Sequence, residues 1–271
     1  MTAPDVPSRQ AVLPPINDPT VHVEIDRLAR RYVDAGGLGM DILSAIGGSA
    51  EMVLDRLPDF ARKRLDGLTL SALTRAVGAA GRSRRVVRDR GDWFNRLAST
   101  VSGAAGGLGG LPGAMIEMPV TITMLLRGIL EIAAEHGFDP DDEETRMDAL
   151  RIFAAAGPMA SDDGTDLGLL AAKLSITGQT VQGLIARVAP RLSAVLGQKL
   201  AAQATPVFGA LAGASINYTF ARYYQELARV QFGLLRLSRE SGLPREALVE
   251  ALKLRIEELR DKRPARPARK S

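Results

Sequence analysis

The chain has 271 residues, 46% of them hydrophobic and 24% charged, which is enough to bury a core and excludes a disordered or collagen-like protein. It contains no cysteine, so disulfides, thiolate metal sites, iron–sulfur clusters and a cysteine nucleophile are excluded together. The net charge of +4 belongs to one end: Lys262, Arg263, Arg266, Arg269 and Lys270 supply five positive charges, leaving about −1 for everything before them. A mean hydropathy of +0.01 is high for an ordinary soluble protein and low for a multi-span membrane protein, which leaves a membrane-surface protein open.

Apolar residues recur at three and four, and strand-like alternation is absent. The pattern predicts an all-α protein, a multi-helix bundle of about nine or ten helices with glycine- and alanine-rich central helical hairpins. Residues 1–16 hold four prolines and no apolar run of signal-peptide length, so they read as a disordered segment without a secretory address, and the cytoplasm is the expected compartment. Residues 17–262 read as one helical domain and 263–271 as a basic disordered tail.

Asp18 before Pro19 is an N-cap with proline at the first helical position, and the helix it opens is expected to stop at Gly36 and Gly37. A second helix is expected over 38–57 and a third over 59–80, followed by the basic run Arg82, Arg84, Arg85, Arg88 and Arg90. After a glycine-rich interval a helix of about 20 residues ends at Gly137. Acids at 139–144 then open a helix to about Ala156. Further helices are expected over 167–188, from Pro190 to about Gln203, over 206–240 and over 244–262.

Two segments stand out. Residues 101–116 are uncharged and carry Gly103, Gly106, Gly107, Gly109, Gly110 and Gly113. Each glycine costs a helix about 1 kcal/mol against alanine. Their i,i+4 pairs allow close helix approach, and Pro112-Gly113 is a turn signal, so a hairpin tip is expected there. Residues 200–221 are 22 residues without a charge, with Gly209 and Gly213 as a second close-packing pair. Gln203, Thr205, Ser215, Asn217 and Thr219 make them too polar for a good spanning helix. Both segments fit either the centre of a bundle or a shallow, reversible membrane insertion.

On the helix after the glycine tip, Glu117, Thr121, Gly128, Glu131 and Glu135 fall on one face, with Arg127 on its edge one turn before Glu131. Glu117, Arg127, Glu131 and Asn217 are therefore the candidate polar site, although a structural ion pair with an interhelical amide bond is the favoured reading of the same residues. His136 sits where a cation suits the helix end, and His22 near an exposed helix start, so neither points to catalysis. Arg222, Tyr223 and Tyr224 suit either a membrane interface or the edge of a core. No metal site and no cofactor is expected: the glycine run lacks the lysine-serine ending of a phosphate loop, and there is no Glu-x-x-His motif. Both basic runs lack aromatics for base stacking, so Arg82, Arg84, Arg85, Arg88, Arg266, Arg269 and Lys270 fit anionic lipid better than nucleic acid.

The strings GGLGGLPGAMIEMPVTITMLLRGILEIAAEHGFDP (106–140) and TPVFGALAGASINYTFARYYQELA (205–228), with the earlier GGSAEMVLDRLP (47–58), resemble blocks of the EcsC family over roughly residues 25–240. Glu117, Pro119, Arg127, Gly137 and Asn217 are the family-like positions. The resemblance implies a place at the cytoplasmic face of a membrane and a link to an ABC transporter, and it brings no catalytic residues. The expectation is a non-catalytic, peripherally membrane-associated accessory protein. Two alternatives stand beside it: a soluble carrier with an apolar cavity for a lipid-like ligand, and a hydrolase using Glu117 and Glu131.

Overall fold

The computed structural model describes residues 14–46, 59–80, 110–153, 180–203 and 210–262, and among them it is all-helical. The helices are α1 (Pro19–Ile46), α2 (Asp59–Ala80), α3 (Gly110–Glu135), α4 (Glu143–Ile152), α5 (Val181–Gln203), α6 (Ala210–Ser241) and α7 (Arg245–Asp261).

Several helix ends follow their local chemistry. Asp18 accepts from the Thr20 amide at 2.8 Å and from its hydroxyl at 2.7 Å, capping α1 one residue before Pro19. Asp142 caps α4 through the Thr145 amide, with Glu143 and Glu144 in the first turn. Gly137 closes α3 and Gly242 closes α6, both at positive φ (81° and 69°), a backbone region that glycine enters without steric penalty. His136 contributes as well: its Nδ1 lies 2.8 Å from the Ile132 carbonyl in the last turn of α3. His22 is exposed, with Nε2 2.9 Å from the Ile16 carbonyl.

Other expectations are corrected. α1 does not stop at Gly36 and Gly37 but continues to Ile46; its long packing against α6 and α7 offsets the roughly 1 kcal/mol that each glycine costs. The turn expected at Pro112-Gly113 is helical, because Pro112 is the third residue of α3, where its missing N–H has no intrahelical acceptor. Pro119 lies deeper in α3, and there Thr123 donates its hydroxyl to the Pro119 carbonyl at 2.8 Å. Pro190 does not begin a helix: it sits inside α5 on an exposed face, where water can reach the Ala186 carbonyl that loses its amide partner. α5 instead begins after Thr180, whose Oγ1 accepts from the Gly183 amide at 3.2 Å. α4 ends at Ile152 rather than Ala156, and Phe153, its C-cap, is fully buried. Residues 47–58 and 167–179 lie outside the described residues.

α6 is the central helix, with α1, α3, α4, α5 and α7 packed on it, while α2 packs on α3 and α5. Specific contacts fix the directions. α1 runs antiparallel to α6, since Glu24 meets Arg236, Leu28 meets Gly233 and Arg31 meets Glu226. α7 runs parallel to α1, with Asp26 bonded to Arg255 and the Arg260 guanidinium 5.9 Å from the Tyr32 ring centre. α3 runs parallel to α6: Gly128 lies against Gln225, and beyond the end of α3 Phe138 packs on Phe232 while Arg239 reaches the Gly137 carbonyl. The core between them is aliphatic with a few large aromatics, among them Tyr224 edge-on to Phe153 at 5.3 Å.

Candidate functional site

The parallel packing of α3 and α6 decides where the expected polar site falls. From the Gly128 to Gln225 contact, Glu117 lies about three turns back along α3 and Asn217 about two turns back along α6. At the rise of an α-helix the two stand at roughly the same level of adjacent helices, within about 5 Å along the axis. Their side chains are outside those described. Arg127 and Glu131 are half-buried on α3 and both are engaged within the protein. Because α3 is continuous, Glu131 stands about 21 Å along the axis from Glu117. Two carboxylates that share one scissile bond stand roughly 5–10 Å apart. The helix therefore keeps these two acids at separate levels.

Gly110, Pro112 and Gly113 lie in the first turns of α3, and Gly213 in the first turn of α6. Gly103, Gly106, Gly107 and Gly209 lie outside the described residues, as do Arg82, Arg84, Arg85, Arg88, Arg266, Arg269 and Lys270. Since α3 and α6 are parallel, their uncharged N-terminal ends point toward the same end of the bundle. Tyr223 and Tyr224 are 5% and 0% exposed, which makes them core residues, whereas Arg222 beside them is exposed.

The structure also assembles a buried ionic cluster that the sequence expectations do not include. The Asp148 carboxylate of α4 pairs with Arg151 at 2.7 Å, one turn on. Gln231 of α6 donates Nε2 to the same oxygen at 3.5 Å, and Arg245 of α7 approaches it to 3.9 Å. All four residues are buried. Burial pushes the Arg245 guanidinium below its ordinary pKa; Asp148 opposes that shift and Arg151 adds to it. With one carboxylate serving two guanidiniums and an amide, the cluster is a joint that ties α4 and α7 to the central helix. A sequence signal exists for it. Arg245 opens α7, where a cation opposes the helix dipole, and the Asp148 carboxylate arriving from α4 offsets that repulsion.

Among the described residues no group of His, Asp and Glu could hold a metal ion. Among the same residues no helix is long and apolar enough to cross a membrane. In comparisons with known proteins, residues 65–237 match the family model described as the EcsC protein family. The match starts after the block at 47–58 and covers more than half of the chain. No curated protein and no solved structure matches it.

Proposed function

The chain belongs to the EcsC protein family, and from that premise we propose that it is a non-catalytic accessory protein attached peripherally to the cytoplasmic face of a membrane, where a membrane protein such as an ABC transporter is its partner. The observation that carries this reading is that the uncharged N-terminal ends of the parallel helices α3 and α6 point to the same end of the bundle. Residues 101–116 and 200–221 lead into these ends without a charge, which is an unusual length of chain to leave uncharged in a protein that is otherwise 24% charged. Since no described helix is fit to span, the reading is of apposition to the bilayer surface. The basic tail supplies a second anchoring signal, and weak anchors hold in pairs.

Flotation of the purified chain with neutral and with phosphatidylserine-containing vesicles, at low and high salt, tests the proposal. The protein is expected to float with the anionic vesicles, and a fraction is expected to stay bound at high salt. Protein that remains in the bottom fraction under every condition overturns the reading.

A further inference from the structure

Charge is unevenly shared over the described surface. α2 packs on α3 and α5 and turns its other side outward, where Arg64, Asp66, Leu70 and Arg75 are exposed. From Arg64 to Arg75 the helix makes three turns and about 16 Å and comes back to within about 20°, so the two arginines share one edge of α2. Leu70 on the same outer side is 43% exposed. A β-carbon added at Gly67 or Gly78 would meet nothing within 4 Å, so α2 is uncovered at both positions.

α5 lies against α2 and contains no acid: its charges are Arg187, Arg191 and Lys199. Arg191 is exposed beside the exposed Pro190 and Ala194, and Arg187, one turn earlier, is exposed and also engaged within the protein. Among the described side chains of the two helices Asp66 is the one exposed acid. Exposed acids concentrate elsewhere. Glu135, Glu143 and Glu144 flank the turn between α3 and α4, and Glu250, Glu257 and Asp261 form a stripe on α7, which packs on α1 and α6. The paired outer faces of α2 and α5 are thus a cationic side of the bundle.

We propose that the outer face of α2 and α5 is the docking surface for an anionic bilayer, with Arg64, Arg75 and Arg191 set against the headgroups and Leu70 against the apolar boundary beneath them. This rests on the membrane reading above and adds the face and the headgroup charge. The cations are spread along one helix and across to the next, which suits a continuous layer of anionic headgroups. Leu70 among them supplies an apolar contact that a bilayer surface can take up. No aromatic is exposed among the described residues of either helix, so the face lacks the stacking platform that single-stranded nucleic acid uses.

Because the chain has no cysteine, a single one can carry an environment-sensitive fluorophore. Thr74→Cys places it on the exposed side of α2, and Glu257→Cys on the acidic stripe of α7. On phosphatidylserine-containing vesicles the Thr74→Cys label is expected to be quenched by lipids that carry a spin label on the headgroup, while the Glu257→Cys label is unchanged. The folded triple variant Arg64→Glu, Arg75→Glu, Arg191→Glu, checked by circular dichroism, is expected to lose at least about tenfold in low-salt partition, since each basic residue near an anionic surface contributes about fivefold. Its binding at high salt is expected to match that of the natural chain. Flotation with the reverse labelling pattern, with neither label quenched, or with undiminished partition of the triple variant overturns the face and leaves membrane attachment standing. A Thr74→Cys label that responds to protein concentration without vesicles, or to an oligonucleotide and not to vesicles, assigns the face to another partner and overturns the proposal. Absence of flotation by the natural chain removes both readings.

Discussion

Leu28 of α1 lies over Gly233 of α6 so closely that a β-carbon at Gly233 would stand 2.7 Å from Leu28 Cδ2. Leu28 is 1% exposed, so its side chain has no solvent to move into. Gly233→Ala is therefore expected to destabilise the protein by about 1–3 kcal/mol through overpacking. Leu28→Ala should cost about 2–5 kcal/mol alone, and the double variant less than the sum, because each change relieves the other. Gly67 is the contrast. Nothing lies within 4 Å of its added β-carbon on α2, and Gly67→Ala should stabilise by about 0.5–1 kcal/mol. Urea unfolding of the four variants checks both signs.

The two positive-φ glycines give a second prediction. Gly137 and Gly242 have open space around an added β-carbon, so a substitution there strains only the backbone. Gly137→Ala and Gly242→Ala should each cost about 1–2 kcal/mol, and the asparagine variants less, since asparagine tolerates the left-handed region better. Equal losses for alanine and asparagine would contradict a backbone origin.

The cluster at Asp148 is asymmetric in what its removal leaves behind. Asp148→Asn removes the carboxylate shared by two buried guanidiniums and should cost about 3–5 kcal/mol. Arg245→Met removes a cation that burial already disfavours, and that opposes the dipole of α7, while Arg151 still satisfies the carboxylate. Its cost should be clearly smaller. Denaturant unfolding that finds the methionine variant as unstable as Asp148→Asn would sink this account.

The parts of the fold legible in the sequence are those set by neighbours along the chain. Asp18-Pro19, Gly137 and Asp142 mark their helix ends through hydrogen bonds within a few residues, with Glu143 and Glu144 suiting the dipole of α4. Gly36 and Gly37 mislead because the packing of α1 on α6 outweighs a local cost, and Pro190 because its lost bond is on the wet face of α5. Gly233 makes its close contact without any i,i+4 glycine pattern, only because Leu28 arrives from a helix at the other end of the chain. The candidate polar site is legible as residue types. The common level of Glu117 and Asn217 is not, since it depends on α3 and α6 being parallel.

The pH dependence of stability follows from the pair between α1 and α7. The Asp26 carboxylate accepts from Arg30 at 2.8 Å and from Arg255 at 2.6 Å, and these bonds hold its pKa below the ordinary aspartate value near 3.8, the Arg30 bond contributing most and burial opposing. The folded state thus binds this proton less readily than the unfolded chain. Its stabilisation is present in full above the unfolded pKa, falls as pH drops through the folded one, and is absent below both. Asp26→Asn never has it. The gap in unfolding free energy between the natural chain and Asp26→Asn should be constant from neutral pH down to about pH 5, then close as the pH falls below about 4. A second carboxylate checks that the effect is specific. Asp18 is also held low, chiefly by the Thr20 hydroxyl and then by the Thr20 amide, but asparagine caps a helix as well as aspartate does, so Asp18→Asn should change stability at neutral pH much less. A gap for Asp26→Asn that persists unchanged at pH 3 would mean that its carboxylate is not what the two arginines hold in place.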